Sequence, residues 1–194
     1  MATSVSDDFN RANGDVGGNW TDVMTGAPGR PTITSNQVGS GVSGTEKAAT
    51  YTGASLDTAN YDVTITYNAG TACVLNIMAR FTGTGATRSG YLGQVNILAG
   101  TASIIRVDNG SETVKTSGSH TASASNVYKF RVNGQSLTLY ANGAVLMTSS
   151  DTTYSSTGAP GLGFYNNTSA DDLYDNFSAA IVTSSGLLSR MVQE

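Results

Sequence analysis

The sequence contains one cysteine, Cys73, and charged residues make up only 12% of its 194 positions. A single cysteine cannot form an internal disulfide or a cysteine-based metal site. Cys73 lies in an apolar strand pattern, which is typical of a small buried residue. The net charge of −4 leaves no basic patch, so we expect no nucleic acid partner.

Long apolar runs are also missing. No window approaches the roughly 18 consecutive apolar residues that a membrane span needs, so we expect no membrane partner. The opening segment MATSVSDDFN has neither the basic start nor the apolar core of a secretory signal. We therefore expect synthesis and assembly inside a cell.

Helical periodicity is absent before residue 185, and alternation takes its place. The most regular stretch, residues 127–151, reads as three short strands. Turns are predicted at Asn133-Gly134 and Asn142-Gly143, because both residue types tolerate the positive φ that tight hairpins require. This stretch predicts a β-meander.

Further strand patterns recur at the spacing of a β-sandwich. Residues 61–67 and 73–81 each place apolar side chains on one face, and a hairpin is predicted about Gly100. The sequence thus predicts an all-β, antiparallel β-sandwich that forms one domain over residues 1–183. A short tail, residues 184–194, follows it.

The tail differs from the rest of the chain because its apolar residues have helical spacing. A helix this short is marginal alone in water, so it requires a surface on which to dock. We predict that this apolar stripe makes assembly contacts. Its members are Leu187, Leu188, Met191 and Val192.

Several segments follow one another in a characteristic order: DDFNR…GGNW, YDVTITY, ARFTG…SGY, YKFRVNGQSLTLYANG, GAPGLGFY and DLYDNF. This order resembles the concanavalin A-like lectin/glucanase superfamily, and within it the laminin-G-like jelly rolls. The resemblance spans about residues 6–182. It implies a jelly roll whose first and last strands lie together, with Phe9 beside Phe177. The opening segment also resembles domains found in bacteriophage structural proteins.

Glucanases of this superfamily carry a Glu-x-Asp-x-x-Glu strand that supplies nucleophile and general acid. The three glutamates of this chain, Glu46, Glu112 and Glu194, lie outside any such motif. A group of aspartates leaves three interpretations open: a retaining carboxylate pair, a calcium site, or solvated strand ends. Its members are Asp7, Asp8, Asp171, Asp172 and Asp175. We predict no enzyme activity, no catalytic residue, no cofactor and no metal site.

The single histidine and the single tryptophan are the other candidates for chemistry. His120 lies in a Ser/Ala-rich loop without a carboxylate beside it, so we expect it to be exposed rather than part of a catalytic triad. Trp20 follows paired glycines, which suits either a sugar-stacking platform or a core residue beneath a glycine loop. The second interpretation is favoured because an aromatic side chain buries a large apolar area.

These observations favour a non-catalytic virion structural protein of a bacteriophage, either a capsid decoration protein or a tail-associated subunit. Its predicted partners are other virion proteins and copies of itself, and it would be made in the host cytoplasm. The alternative is a lectin-like, glycan-binding module, which would need exposed aromatic side chains. The candidates are Tyr91, Tyr140, Tyr154 and Tyr165.

Overall fold

A computed structural model describes residues 2–24, 29–41, 44, 46–70, 73–166 and 173–183 of the chain. Within these ranges it contains sixteen strands and one 3₁₀ turn at Gly85–Thr87. None of the described residues forms a helix long and apolar enough to span a membrane. The strands β1 to β16 are, in order, Ser4–Asp7, Gly14–Asp15, Trp20–Asp22, Thr32–Thr34, Gln37–Gly39, Glu46–Tyr51, Tyr61–Ala69, Cys73–Thr82, Ser89–Asn96, Thr101–Asp108, Ser111–Ser119, Val127–Asn133, Ser136–Ala141, Ala144–Ser150, Ala159–Asn166 and Leu173–Ile181.

The strands form two antiparallel sheets, which confirms the predicted all-β sandwich. One sheet has nine strands in the order β14-β13-β12-β7-β16-β5-β4-β2, with β1 also paired to β16. The other has seven strands in the order β11-β10-β9-β8-β15-β6-β3. Their inner faces enclose the main core.

Strand β7 shows how the sequence forms this core. Tyr61, Val63 and Ile65 are fully buried and Tyr67 is 3% exposed, while the residues between them point outward. The same alternation holds in β12. Complete burial of such a side chain stabilises the fold by about 1.5–3 kcal/mol. Each strand is therefore oriented with its apolar residues toward the core and its polar residues toward solvent.

The predicted meander of residues 127–151 is confirmed as β12, β13 and β14. The second turn is as expected, because Asn142 and Gly143 both have positive φ, at 50° and 81°. The first turn lies one residue further along the chain. Asn133 still pairs with Ser136, so Gly134 and Gln135 form the loop.

One predicted strand face is wrong at its end. Arg80 has a φ of 53°, and the pairing of β8 with β9 shifts between Ala79 and Thr82. The resulting β-bulge reverses the alternation, so Phe81 packs on the outer face of the seven-stranded sheet instead of in the main core.

The first and last strands pair, as the resemblance implied. Asp7 of β1 lies opposite Phe177 of β16. The ring of Trp20 contacts Phe177 with centroids 4.8 Å apart and Phe9 with centroids 5.9 Å apart. Trp20 is only 2% exposed, so its interpretation as a core residue is confirmed.

The Asp7 carboxylate links the segment DDFNR to the segment GGNW through hydrogen bonds. It accepts hydrogen bonds from both terminal nitrogens of Arg11, at 2.7 and 2.9 Å, and from Nε1 of Trp20 at 2.7 Å. The backbone N–H of Phe9 donates to it at 2.8 Å. Burial alone would raise the pKa of Asp7, but these donors together lower it.

Candidate functional site

Glu46 on β6 and Glu112 on β11 reveal the shape of the outer face of the seven-stranded sheet. Four strands separate β6 from β11, and in a flat sheet the two would lie roughly 24 Å apart. Both carboxylates nevertheless line one cleft together with Arg88. The outer face is therefore strongly curved, and we call it the concave face.

The cleft changes the acidity of one carboxyl group. Burial raises the pKa of Glu46, the Arg88 guanidinium partly opposes this shift, and the negative charge of Glu112 adds to it. Glu46 therefore keeps its proton to a higher pH than an exposed glutamate, and when protonated it donates a hydrogen bond.

Apolar side chains fill the part of the concave face that lies between these carboxylates. Met78, Leu92 and Val107 point outward from their strands, yet each is at most 4% exposed. Val23, Met24 and Phe81 pack against them. The open volume left in the cleft is about 10 Å³, which is room for about one water molecule. A sugar ring therefore has no space between Glu46 and Glu112.

A row of polar side chains continues this face, beginning at Asn76, which lines the cleft and is 5% exposed. Asn76, Gln94 and Ser103 are register partners across β8, β9 and β10. Gln94 Nε2 donates a hydrogen bond to Asn76 Oδ1 at 3.0 Å, which fixes both amide groups. A Cβ at the neighbouring Gly163 would lie 3.3 Å from the Asn76 Cβ, so the glycine lets Asn76 lie close to β15.

Tyr165 provides an aromatic ring beside this polar row. It is 36% exposed and pairs with Glu46 on one side and Val74 on the other. Since Val74 and Asn76 both point outward from β8, the ring and the amide pair lie on the same face. We take Tyr165, Asn76, Gln94 and Ser103 as the candidate site.

The other three tyrosines proposed as aromatic contacts are less accessible. Tyr91 is fully buried, which contradicts its proposed exposure. Tyr154 packs edge-on against Tyr91, with centroids 5.5 Å apart. Tyr140 is half-buried, and the Lys129 ammonium lies 4.3 Å from the centre of its ring. Of these candidates, Tyr165 is the most exposed.

The prediction that His120 is simply exposed is wrong. The side chain is half-buried, and its Nε2 lies 3.0 Å from the hydroxyl oxygen of Tyr128. Burial lowers the pKa of His120, which favours the neutral ring. His120 thus packs beside the buried Tyr128. Among the described residues, no nucleophile and carboxylate lie around it in the arrangement of a catalytic triad.

The predicted aspartate group is only partly described. Asp7 is held by Arg11 and Trp20, Asp8 is exposed, and Asp175 Oδ1 accepts a hydrogen bond from the backbone of Asn176 at 2.7 Å. Asp171 and Asp172 lie outside the described residues. Among the residues that are described, no three acidic, histidine or cysteine side chains are placed to hold a metal ion.

The predicted assembly residues of the tail also lie outside the described residues. These are Leu187, Leu188, Met191 and Val192. The division into a domain of residues 1–183 and a tail of residues 184–194 therefore stays a prediction.

Sequence reasoning missed the candidate site except for Tyr165. Asn76 and Gln94 were visible only as polar residues inside strand patterns, and Glu46 and Glu112 belong to strands that are distant in sequence. The one available signal was alternation, because a polar residue on an outward position of a central strand requires a partner.

Comparisons with known proteins bear on the fold. No protein-family model matches the sequence, and no curated protein matches it. Among solved structures, the chain is similar to the carbohydrate-binding module CBM66 from Bacillus subtilis, with 18% identity, a TM-score of 0.61, and coverage of 81% of this chain and 91% of that one.

Two further structures show the same similarity. The Bacillus licheniformis β-glucanase is 13% identical, with a TM-score of 0.61 and coverage of 94% of this chain and all (100%) of that one. The carbohydrate recognition domain of Emp47p is 10% identical, with a TM-score of 0.58 and coverage of 93% and 96%. The fold is therefore the concanavalin A-like jelly roll, as the sequence predicted.

Proposed function

We propose that this protein is a glycan-binding module and that the polar part of the concave face contacts the sugar. The observation that carries the proposal is the combination of a fixed amide pair, Asn76 and Gln94, with the exposed ring of Tyr165 on a curved face. Support also comes from the fold, since the similar structures include a carbohydrate-binding module and a carbohydrate recognition domain.

The chemistry of the candidate site suits a sugar. The amide of the half-buried Gln94 has a second N–H donor and an oxygen acceptor besides the N–H that it gives to Asn76, and so matches neighbouring hydroxyl groups, which both donate and accept. The Gln94–Asn76 bond at 3.0 Å holds the two amides in place before a ligand arrives, so little ordering is needed on binding. An aromatic ring adds apolar contact area at a low cost in side-chain entropy.

The first prediction concerns this face. Replacing Gln94 or Tyr165 with alanine is expected to weaken glycan binding about tenfold, which corresponds to about 1.4 kcal/mol. Each substitution removes a direct contact, and loss of Gln94 also leaves the Asn76 amide without its neighbour. Affinity would be measured by calorimetry against mixed-linkage β-glucan, mannan and bacterial surface polysaccharides.

Two control variants distinguish the loss of a sugar contact from a general loss of folded structure. Tyr165→Phe keeps the ring and should bind nearly as well as the unmodified protein. Gln135→Ala removes an exposed glutamine from a turn of the other sheet and should change nothing. Equal binding by Gln94→Ala, Tyr165→Ala and the unmodified protein would refute the proposed site, and no binding to any polysaccharide would refute the proposed function.

Hydrolysis is not expected at this face. Some of the similar structures are glucanases, but here Met78 and Leu92 fill the space near the carboxylates. A retaining mechanism needs two carboxyl groups on either side of the scissile bond. The absence of enzyme activity thus remains a prediction.

The virion role also remains a prediction, since none of the similar structures described above is a virion protein. It rests on the apolar stripe of the tail, whose members have helical spacing. A glycan-binding function and a place in a virion are compatible, because the concave face and the tail are separate parts of the chain.

A second prediction tests the tail. Truncation at Ser185 removes Leu187, Leu188, Met191 and Val192, and we expect the shortened protein to lose its oligomeric state in light scattering. Burial of these side chains would be worth about 1.5–3 kcal/mol each at a complete interface. If the truncated protein keeps its oligomeric state and only its melting temperature falls, the assembly role is wrong.

A further inference from the structure

A large cleft lies beside the paired strands β1 and β16 of the nine-stranded sheet. It has a volume of about 840 Å³, within the range of small-molecule sites in proteins. The segment after β1 forms one wall and β16 forms the other. We call it the N-terminal cleft, and its polar lining includes Ser6, Asp8, Asn19, Asn176 and Ser178.

The β16 wall is shaped by a β-bulge. The pairing of β16 with β7 shifts between Asp175 and Ser178, and Asn176 has a φ of 55°. The side chain of Asn176 is exposed and lines the cleft. Bulges of this kind commonly redirect a side chain next to a functional site.

The opposite wall contains Gly17 and Gly18. Gly17 has a φ of 86°, a backbone conformation that glycine adopts easily and that other residues rarely adopt. Gly18 has no such requirement, and a Cβ placed on it would meet no atom within 4 Å. The fold therefore tolerates a side chain at Gly18, and its absence keeps the cleft wide.

The base of the cleft carries little unbalanced charge. Asp7 is neutralised by Arg11, whose Nη1 lies 2.7 Å from its Oδ1. The remaining polar groups that line the cleft are two amides, two hydroxyls and the carboxylate of Asp8. This set matches a neutral ligand with many hydroxyl groups better than it matches an anion or a metal ion, which would need several like charges.

The cleft continues into a row of outward side chains on the nine-stranded sheet. Ser6 pairs with Ser178, Ser178 with Thr64, Thr64 with Lys129, and Lys129 with Tyr140. Four strand spacings make this row roughly 19 Å long. It runs across the strands, begins at hydroxyl groups in the cleft and ends at Tyr140, where the Lys129 ammonium lies 4.3 Å from the centre of the ring.

We propose that the N-terminal cleft is a second saccharide-binding site, separate from the concave face and able to hold the end of an oligosaccharide whose chain continues over Thr64 toward Tyr140. The inference rests on the proposed glycan-binding function. It makes each molecule bivalent for a glycan, so that a polymer or a coated surface is bound more tightly than a single short oligosaccharide.

Trp20 offers a direct readout of this site. It is the only tryptophan in the chain, and its Nε1 donates to Asp7, which lines the cleft. A β-1,3-1,4-linked glucotetraose bound there should change the tryptophan emission. Gly18→Leu should abolish this change by filling the cleft, and Gly118→Leu, at a glycine that also has no atom within 4 Å, should leave it intact.

Calorimetry with the same tetrasaccharide separates the two sites. We expect two sites per molecule, one after Gly18→Leu, and one after the combined change of Gln94 and Tyr165 to alanine. Asn176→Gly is a second test, because glycine accepts the backbone angle and only the amide is lost. This variant should need at least a fivefold higher tetrasaccharide concentration to reach half of the tryptophan response.

The outcomes discriminate between the two proposals. A tryptophan response that survives loss of the concave-face contacts supports the second site. Binding of one tetrasaccharide without any tryptophan response overturns the second site and leaves the proposed function standing. A response that is unchanged by both Gly18→Leu and Asn176→Gly, with both variants folded by circular dichroism, also overturns it.

Discussion

Replacing Arg80 with methionine is expected to lower the free energy of unfolding by about 3–5 kcal/mol. Arg80 is 2% exposed and is among the largest fully buried side chains of the protein. Its Nε donates to the Ala59 carbonyl at 2.8 Å, and its Nη1 donates to the Tyr154 carbonyl at 2.7 Å. Methionine fills a similar volume but donates no hydrogen bond, so two partly buried carbonyl groups would lose these donors.

The position of Arg80 explains why the effect should be large. Its Nη2 also contacts Asn60 Oδ1 at 3.3 Å, so one side chain joins the segment before β7 to the loop that contains Tyr154. Burial lowers the pKa of Arg80, which shows that the charge is held at a cost. The neutral acceptors around it offset this cost, and of these Asn60 Oδ1 also accepts a hydrogen bond from the backbone N–H of Gly134 at 2.8 Å.

Arg131 provides the matched control. It forms a bidentate ion pair with Asp62, in which Nε and Nη2 each donate to one carboxylate oxygen at 2.7 Å, but its side chain is 33% exposed. A partly exposed ion pair contributes little, and Lys129 Nζ stays 3.6 Å from Asp62 Oδ2 when Arg131 is lost, so Arg131→Met should cost only about 1 kcal/mol. Urea denaturation of both variants would measure the difference. Equal losses for Arg80→Met and Arg131→Met would show that the buried contacts of Arg80 are not the source of stability.

The fold was largely predictable because the pattern that specifies it is local. The alternation of Tyr61 to Tyr67 and the two turns of the meander depend on residues that are neighbours in sequence. The buried Trp20 could also be inferred, since one large aromatic side chain beside glycines rarely stays in water. These features need no knowledge of distant contacts.

Arg80 and the candidate site could not be predicted for the opposite reason. Period-2 reasoning places Arg80 on a solvated face and Phe81 in the core, and only the bulge at Arg80, with its φ of 53°, reverses both. The convergence of Glu46 and Glu112 depends on how strongly the sheet curves across β6 to β11. Curvature accumulates over many strands and leaves no signature in any one of them.

Asp151 also escaped prediction, since in sequence it is only the residue that follows the meander. Its side chain is 3% exposed. Lys115 Nζ lies 2.9 Å and Arg106 Nη1 lies 3.1 Å from its Oδ2, while the Tyr91 hydroxyl and the Thr153 backbone N–H donate to its Oδ1 at 2.9 and 2.8 Å. Lys115 and Arg106 belong to the seven-stranded sheet, so Asp151 joins the two sheets at the edge where β11 and β14 meet.

These contacts determine how the protein should respond to acid. Burial alone would raise the pKa of Asp151, but the Lys115 ammonium, Thr153 and the Tyr91 hydroxyl outweigh it and hold the pKa well below its usual range. A carboxyl group whose pKa is lower in the folded state stabilises the fold above its unfolded pKa of about 3.9. That contribution is lost progressively as the pH falls from there toward the folded pKa.

Asp151→Asn is therefore expected to lower the free energy of unfolding by about 3 kcal/mol at pH 7, because it removes the buried counter-charge of Lys115 and leaves Arg106 with Asp108 as its partner. The loss should shrink as the pH falls below about 4, where the unfolded form of the original protein takes up a proton that the folded form refuses. Urea denaturation from pH 7 to pH 2.5 would trace both curves. Asp8→Asn, at an exposed aspartate, should follow the original protein throughout. If the curves for Asp151→Asn and the original protein stay parallel down to pH 2.5, the carboxylate is not the acid-sensitive link between the sheets.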